Sequence, residues 1–452
     1  MNSRQVIVVG AGISGLACAL GLREFGVAVR MLDAAENPGG LISTVQREGF
    51  LFESGPQSFQ LTSELRELIR AAGCESELLE ADPRTPRYIL RGGKLRPAPM
   101  SPPSLLTTSL LSAGSKMRVL SEPFRRSEPA AGDESLADFV RRKFGTEILD
   151  HLAGPFVSGV FAGDPEKLSL RSAFPSLAQW EEEYGSVIRG AMKSRGRGER
   201  VRPTLASFKN GMATLLKAMA QKLGHALAAN VTVRSIQSVG PDGWTLHCSG
   251  SAQPDTLSAS AIVFAVPAYA AAKLLASAAE RLATTLSAIP YAPVAVVAQG
   301  YRREHVGHML NGFGFLVPRT EKLRTLGTIW NSSLFPGRCP PGTVLMTSFL
   351  GGATDPQILG MDDIQIANQV HQDIAGVLRI SAPPIAQHVW RHVHALPQYN
   401  LGHAQKVATV RDDLSTLQGL FIAGNYLDGP SIGSCVLQGF RTAQSVRDYL
   451  SR

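Results

Sequence analysis

Residues 6–20 read VIVVGAGISGLACAL, and this stretch decides the fold. Four apolar residues, three of them β-branched valines in the run Val6–Val9, make a short buried strand. Gly10, Gly12 and Gly15 then give GxGxxG, and a helix follows from Ser14 to about Phe25, with Gly26 as its cap. The first glycine permits a tight turn. The second lets the backbone approach a pyrophosphate, and the third lets helix and strand pack closely. A phosphate there meets the free N–H groups of Gly12, Ile13 and Ser14 and the positive end of the helix dipole. A second strand, AVRML, ends at Asp33–Ala34, at the spacing where a carboxylate accepts ribose hydroxyls. The motif predicts a dinucleotide site on an α/β domain.

The residues beyond Ala34 distinguish the dinucleotides. NPGGLIST places Gly39 and Gly40 directly after the second strand, and GFLFESGPQSF adds a hairpin with a turn at Gly55–Pro56. A nicotinamide dehydrogenase would continue into another βαβ unit. At the other end, FIAGNYLDGPSIGSCVLQG (421–439) builds a second glycine-lined turn into a final helix. FAD is too long for one turn. The first cradle suits its pyrophosphate, while Gly424–Asn425 and Ser431–Ile432 offer backbone N–H groups to the isoalloxazine, where negative charge develops as N5 accepts hydride. The pattern resembles the amine-oxidase-like flavoproteins. Leu41 stands where many of them carry Arg after the double glycine, leaving backbone N–H groups to carry more of the binding.

The chain has 452 residues, 44% hydrophobic and 18% charged, enough for two or three domains. Its five cysteines are scattered, without CxxC spacing, which fits a reducing compartment and no disulfide framework. His392, His394 and His403 form no ligand set, so no metal is expected. The net charge of +8 favours anionic partners, yet no nucleic-acid motif accompanies it. Much of the charge lies between Arg84 and Arg126 and in KSRGRGERVR, 193–202. The first strand begins at Gln5, which leaves no room for a signal peptide, and SAIVFAVPAYAAAKLLASAAE is broken by Pro267. A cytoplasmic protein is expected.

The α/β pattern is resumed twice, which predicts discontinuous domains. Residues 1–83, 201–275 and 401–452 read as three parts of the cofactor domain. Residues 84–200 read as a helical, Pro- and Arg-rich segment facing substrate or membrane, with helices at 135–150 and 175–193. Residues 276–400 read as a sheet domain for substrate, alternating like antiparallel strands over 293–350, with a helix at 362–379.

The chain resembles, nearly end to end, the FAD-dependent protoporphyrinogen oxidases of haem synthesis and their coproporphyrinogen-oxidising relatives. The stretches that carry this include PRYILRGGKLRPAP, VSGVFAGDPEKLSLRSAFPSL, SFKNGMATL, GFGFLVP, LGTIWNSSLFPGR, PQYNLGH and AGNYLDGPSIGSC. GDPEKLS, GFGFLVP and PQYNLGH are the most specific. The resemblance implies a GR2-type FAD domain interleaved with an α+β substrate domain. It implies six-electron oxidation of protoporphyrinogen IX to protoporphyrin IX, as three hydride transfers with O2 as acceptor and three H2O2 formed. It also implies peripheral contact with the inner face of the cell membrane, and it is compatible with a homodimer.

Site residues are implied by the same resemblance. Leu316 and Ile329 clamp one pyrrole, Phe349 stacks on another, and Arg91 grips a propionate, with Arg87 and Arg96 as near alternatives. Gln57 stands where the family often shows Asn near substrate. The Gly163 carbonyl faces the reacting carbon, and Ala162 replaces a glycine common before it. Val233 offers backbone to adenine. Coproporphyrinogen III as substrate, an amine-oxidase or desaturase activity, and a non-catalytic escort protein on this scaffold remain open; the glycine turns at both ends weigh against the last.

Overall fold

The computed structural model describes residues 5–125, 130, 132–194, 204–240, 243–250 and 255–452. Most of the basic loop expected at 193–202 lies outside them.

Val6–Val9 is the centre of a five-stranded sheet. Its order runs Leu227–Ala228, Val29–Leu32, Val6–Val9, Ala261–Phe264, Leu420–Ile422, and every pairing is parallel. Val6–Val9 and Ala261–Phe264 are buried at every position, which is why their sequences are apolar without alternation. On one face lie the first helix, Ile13–Glu24, and the last, Ile432–Leu450, joined through Leu16, Ala17, Val436 and Ala443. On the other face lie a three-stranded antiparallel sheet over 232–259 and the helices Ala268–Leu275 and Glu280–Ser287. The sheet thus draws on the beginning, the middle and the end of the chain.

The second layer is a seven-stranded sheet in the order Ala386–Pro397, Tyr291–Arg302, Thr343–Gly351, Thr325–Ile329, Gly314–Leu316, Arg87–Arg91, Lys94–Pro97. All its pairings are antiparallel except that between Gly314–Leu316 and Arg87–Arg91. The helix Asp363–Leu378 enters through an Asp362–Gln365 capping box and covers one face with Ile366, Val370 and Ile374. The opposite face packs in part on the hairpin of Thr44–Arg47 and Phe50–Glu53, through Ala298, Leu345, Phe50 and Phe52.

Residues 84–200 are therefore not helical throughout: 87–97 form a hairpin of the sheet. The helices begin at Pro102 and run to Ser194, and Gly185 in left-handed conformation divides the stretch expected as one helix at 175–193. A buried ion network fastens them, with Glu181 accepting from Arg142 and Lys143, both at 2.7 Å. Among the described residues no helix is long and apolar enough to cross a membrane.

Candidate functional site

The first glycine turn separates two needs. At Gly10, φ is +102° and an added Cβ would lie 2.6 Å from the Ala265 carbonyl oxygen, so glycine is required by the fold itself. At Gly12 an added Cβ meets nothing within 4 Å. That space is open because the first helix starts there with no side-chain cap and no acidic residue in its first turn. Its N–H groups are left for something else. Gly40 closes the far side: at φ +61°, its added Cβ would sit 3.8 Å from Gly12 Cα. Gly39 N–H donates to the Ala11 carbonyl at 2.9 Å, tying the two turns together. The Asp33 carboxylate accepts from Ala11 N at 2.5 Å and Ala35 N at 2.7 Å, which fixes it at the edge of the cradle. Val231 N–H donates to the Asp33 carbonyl, which brings the strand carrying Val233 alongside. These residues fit the diphosphate and ribose of a dinucleotide.

The C-terminal turn meets the first. Ser14 is within hydrogen-bond reach of Cys435, whose thiol burial pushes up to about 11. The helices approach so closely because each carries a glycine at the contact: Gly21 faces Phe440 and Ala443, and Gly439 faces Ser14 and Ala17. Ser431 caps the last helix by accepting from Ser434 N at 3.0 Å. The loop before it is anchored from outside. Tyr399 donates its hydroxyl to the Asn425 carbonyl, and His403 Nε2 lies 3.0 Å from the Tyr426 carbonyl. Burial lowers the His403 pKa to about 4, so the neutral ring holds its proton on Nε2 and donates it.

Gly55 and Pro56 lie next to the double glycine. Ser54 Oγ accepts from Ser43 N and donates to the Leu41 carbonyl, both at 2.9 Å, lashing the two turns. Gln57 is buried, and its amide is committed to protein: Oε1 accepts from Asn331 at 2.7 Å and Thr347 at 3.2 Å, while Nε2 donates to the Gly55 carbonyl at 2.7 Å. This placement makes Gln57 a strut between the hairpin and the sheet.

Leu316, Ile329 and Phe349 share one sheet face. Leu316 pairs with Gly327, and Gly327 pairs with Phe349; Ile329 follows Gly327 by two residues. All three keep part of their surface exposed, unlike the core residues around them. Gly159 leaves room for the Leu316 side chain, and Ala162 and Ala353 pack near Phe349. Ala162 is left-handed at φ 48°, held by a bond from Ala353 N to its carbonyl at 2.7 Å. At the next residue, Gly163, an added Cβ would lie 3.0 Å from Gln398 Oε1.

Arg91 ends the neighbouring strand and pairs with Glu147 at 3.1 Å, leaving Nη1 buried without a partner. Burial alone would raise the Glu147 carboxyl, but hydrogen bonds from Ser112 and Ser115 and from Arg91 bring it down to about 2. That carboxylate fixes the guanidinium, whose side chain stays about a third exposed. Gln398, Tyr399 and His403 went unrecognised as supports in the sequence, although PQYNLGH stood out there as a specific motif.

Two cradles at one seam beside a part-exposed apolar sheet face define an FAD oxidoreductase. Residues 13–447 match the family of flavin containing amine oxidoreductases. Chloroplastic protoporphyrinogen oxidase of Oryza sativa subsp. japonica is 34% identical, covering 100% of this chain and 89% of the relative. Coproporphyrinogen III oxidase of Bacillus subtilis is 28% identical over 99% of each chain. A solved structure from Exiguobacterium sp. 255-15 superposes with a TM-score of 0.84 at 23% identity, covering 100% of both chains. The chain belongs to the flavin containing amine oxidoreductases, in their protoporphyrinogen oxidase branch, and its cofactor is FAD.

Proposed function

We propose that the protein oxidises protoporphyrinogen IX to protoporphyrin IX in haem synthesis, with O2 as the final acceptor. The observation that carries this reading is the union of the two glycine cradles with the apolar row Leu316, Ile329 and Phe349. A porphyrinogen is a broad, largely apolar macrocycle of four pyrroles joined by methylene bridges, with carboxylates at its edge, and it needs an apolar slot with a cationic anchor. FAD, when bound, accepts one hydride in each of three cycles and passes the electron pair to O2 as H2O2.

Gly10, Gly12, Ile13, Ser14 and Gly15 hold the diphosphate, with Gly39, Gly40, Gly55 and Pro56 across from them. Asp33 and Ala34 receive the ribose, and the Val233 backbone meets adenine. Gly424, Asn425, Ser431 and Ile432 support the ring. Leu316 and Ile329 clamp one pyrrole and Phe349 stacks on another, which orients a meso carbon towards Gly163. Arg91, oriented by Glu147 and partly exposed, grips a propionate. Over the three cycles the protons come from two pyrrole N–H groups and, through tautomerisation of the macrocycle, from the fourth meso carbon, so little is asked of a side-chain base. Gln57 acts through the placement of the Gly55–Pro56 turn.

In this reading residues 84–200 supply the substrate-side helices, 276–400 the sheet domain, and 1–83, 201–275 and 401–452 the FAD domain. The protein works in the cytoplasm, in peripheral contact with the inner face of the membrane. The exposed apolar residues of the helical segment support this: Phe124 is 86% exposed, Met117 63% and Met100 62%, and Lys116 precedes Met117 in the chain.

Incubating the yellow protein in air with protoporphyrinogen IX and, separately, with coproporphyrinogen III tests the assignment. Faster appearance of protoporphyrin fluorescence, with peroxide in threefold stoichiometry, is expected. Preference for coproporphyrinogen would move the protein to the coproporphyrinogen-oxidising relatives.

A further inference from the structure

The motif Pro397–His403 touches both sides of the proposed site. On one side, Gln398 is 2% exposed and its Nε2 donates to the Phe161 carbonyl at 2.9 Å and the Leu396 carbonyl at 3.1 Å. Its Oε1 has no partner and lies against Gly163, 3.0 Å from where an added Cβ would sit. The segment is bound further along the GDPEKLS motif: Ser169 N–H donates to the Tyr399 carbonyl and Leu401 N–H to the Lys167 carbonyl, both at 2.8 Å. On the other side, Tyr399 and His403 hold the Asn425 and Tyr426 carbonyls, and their rings stack with centroids 4.4 Å apart. The two family-specific motifs are thus one hydrogen-bonded unit. Its two ends are the backbone proposed to face the reacting carbon and the turn proposed to support the flavin.

We propose that Gln398 and Tyr399 are positioning residues of a strut that sets the placement of the Phe161–Gly163 backbone relative to the Gly424–Gly429 flavin turn. The inference rests on the assignment of the protein as a porphyrinogen oxidase. Neither residue needs to touch substrate. Gln398 fixes one end, Tyr399 the other, and the stacked, neutral His403 keeps the Tyr399 ring from rotating away. A strut of this kind matters because misplacement of about 1 Å can cost about a hundredfold in rate.

The test compares Gln398→Met, Tyr399→Phe and the double variant as FAD-loaded proteins. Each single variant is expected to lower kcat for protoporphyrinogen about tenfold or more with KM within about twofold, since binding contacts stay in place. The double variant should lose far less than the product of the two, because both break one strut. Tyr399→Phe should also shift the bound flavin's visible bands and reduction potential, whereas Gln398→Met should leave them unchanged. Wild-type kcat in either single variant, or losses that multiply in the double variant, overturns the proposal. If the wild type oxidises no porphyrinogen, the functional reading fails separately. The spectrum and potential still decide the strut: an unshifted flavin in Tyr399→Phe overturns it. Should Tyr399→Phe shed FAD, His403→Gln takes its place with the same expected shift.

Discussion

Gly10 and Gly12 are two residues apart and serve different ends. Gly10→Ala puts a methyl group 2.6 Å from a carbonyl oxygen at a φ of +102°, so it should cost about 1–3 kcal/mol of stability. Gly12→Val meets no protein atom within 4 Å of its Cβ and should leave the apo chain's unfolding midpoint unchanged while FAD retention falls at least about tenfold. Equal effects on both readouts in the two variants would contradict the division. Glu53 gives a pH prediction. It is 3% exposed, and burial raises its carboxyl to about 7 against lowering contributions from Thr44, Met212 and Arg338. The folded chain keeps this proton while the unfolded chain loses it near pH 4.3. Stability should therefore fall as pH rises from about 4.5 to 7, by about 3 kcal/mol, and level off above. Glu53→Gln should flatten that slope in denaturant titrations; an unchanged slope would refute the assignment. Arg91→Ala should raise KM for protoporphyrinogen about tenfold with kcat little altered. The glycines were legible in sequence because backbone geometry is local. The committed amide of Gln57 was not, because Asn331 and Thr347 lie 274 and 290 residues away along the chain.

Among elements, the helices Ile13–Glu24 and Ile432–Leu450 set the alignment of the two cradles. Gly439→Val would drive its Cβ against Ala17 Cβ at 2.8 Å and the Cys18 nitrogen at 3.0 Å. Separation of the helices should destabilise the fold by about 2–4 kcal/mol and release FAD, read by unfolding midpoint and by flavin in the filtrate. Retained FAD at wild-type stability would show that the contact does not align the cradles. The glycine turns that precede them exposed both helices in the sequence, with Gly26 marking the end of the first. They did not expose the hairpin 87–97, whose Arg87, Arg91, Lys94 and Arg96 hide its alternation, nor Ala386–Pro397. The latter is an edge strand, and its polar residues His388 and His392 face Phe52 and Ser54 of the neighbouring hairpin segment. A strand that buries polar residues against another segment carries no simple amphipathic pattern.

For the whole molecule, distant segments converge on one seam. The parallel sheet takes strands from residues 6, 261 and 420 onward, and this returns the last helix beside the first. That convergence was foreseeable because FAD needs support at both ends; the strut at Pro397–His403 was not, because its partners appear only once the chain has folded. Towards solvent, the exposed Phe124 and Met117 predict a membrane-facing surface. Replacing both with Glu should weaken co-sedimentation with anionic phospholipid vesicles several-fold and leave turnover of detergent-dispersed substrate unchanged. Undiminished vesicle binding would place the contact elsewhere.

The decisive experiment is anaerobic mixing of the FAD-loaded protein with protoporphyrinogen IX, followed at the oxidised flavin band. Bleaching within the turnover time is predicted, with protoporphyrin fluorescence and peroxide appearing when air is admitted. A flavin that stays oxidised with protoporphyrinogen yet bleaches with a primary amine would contradict the porphyrinogen reading and make the protein an amine oxidase on the same fold.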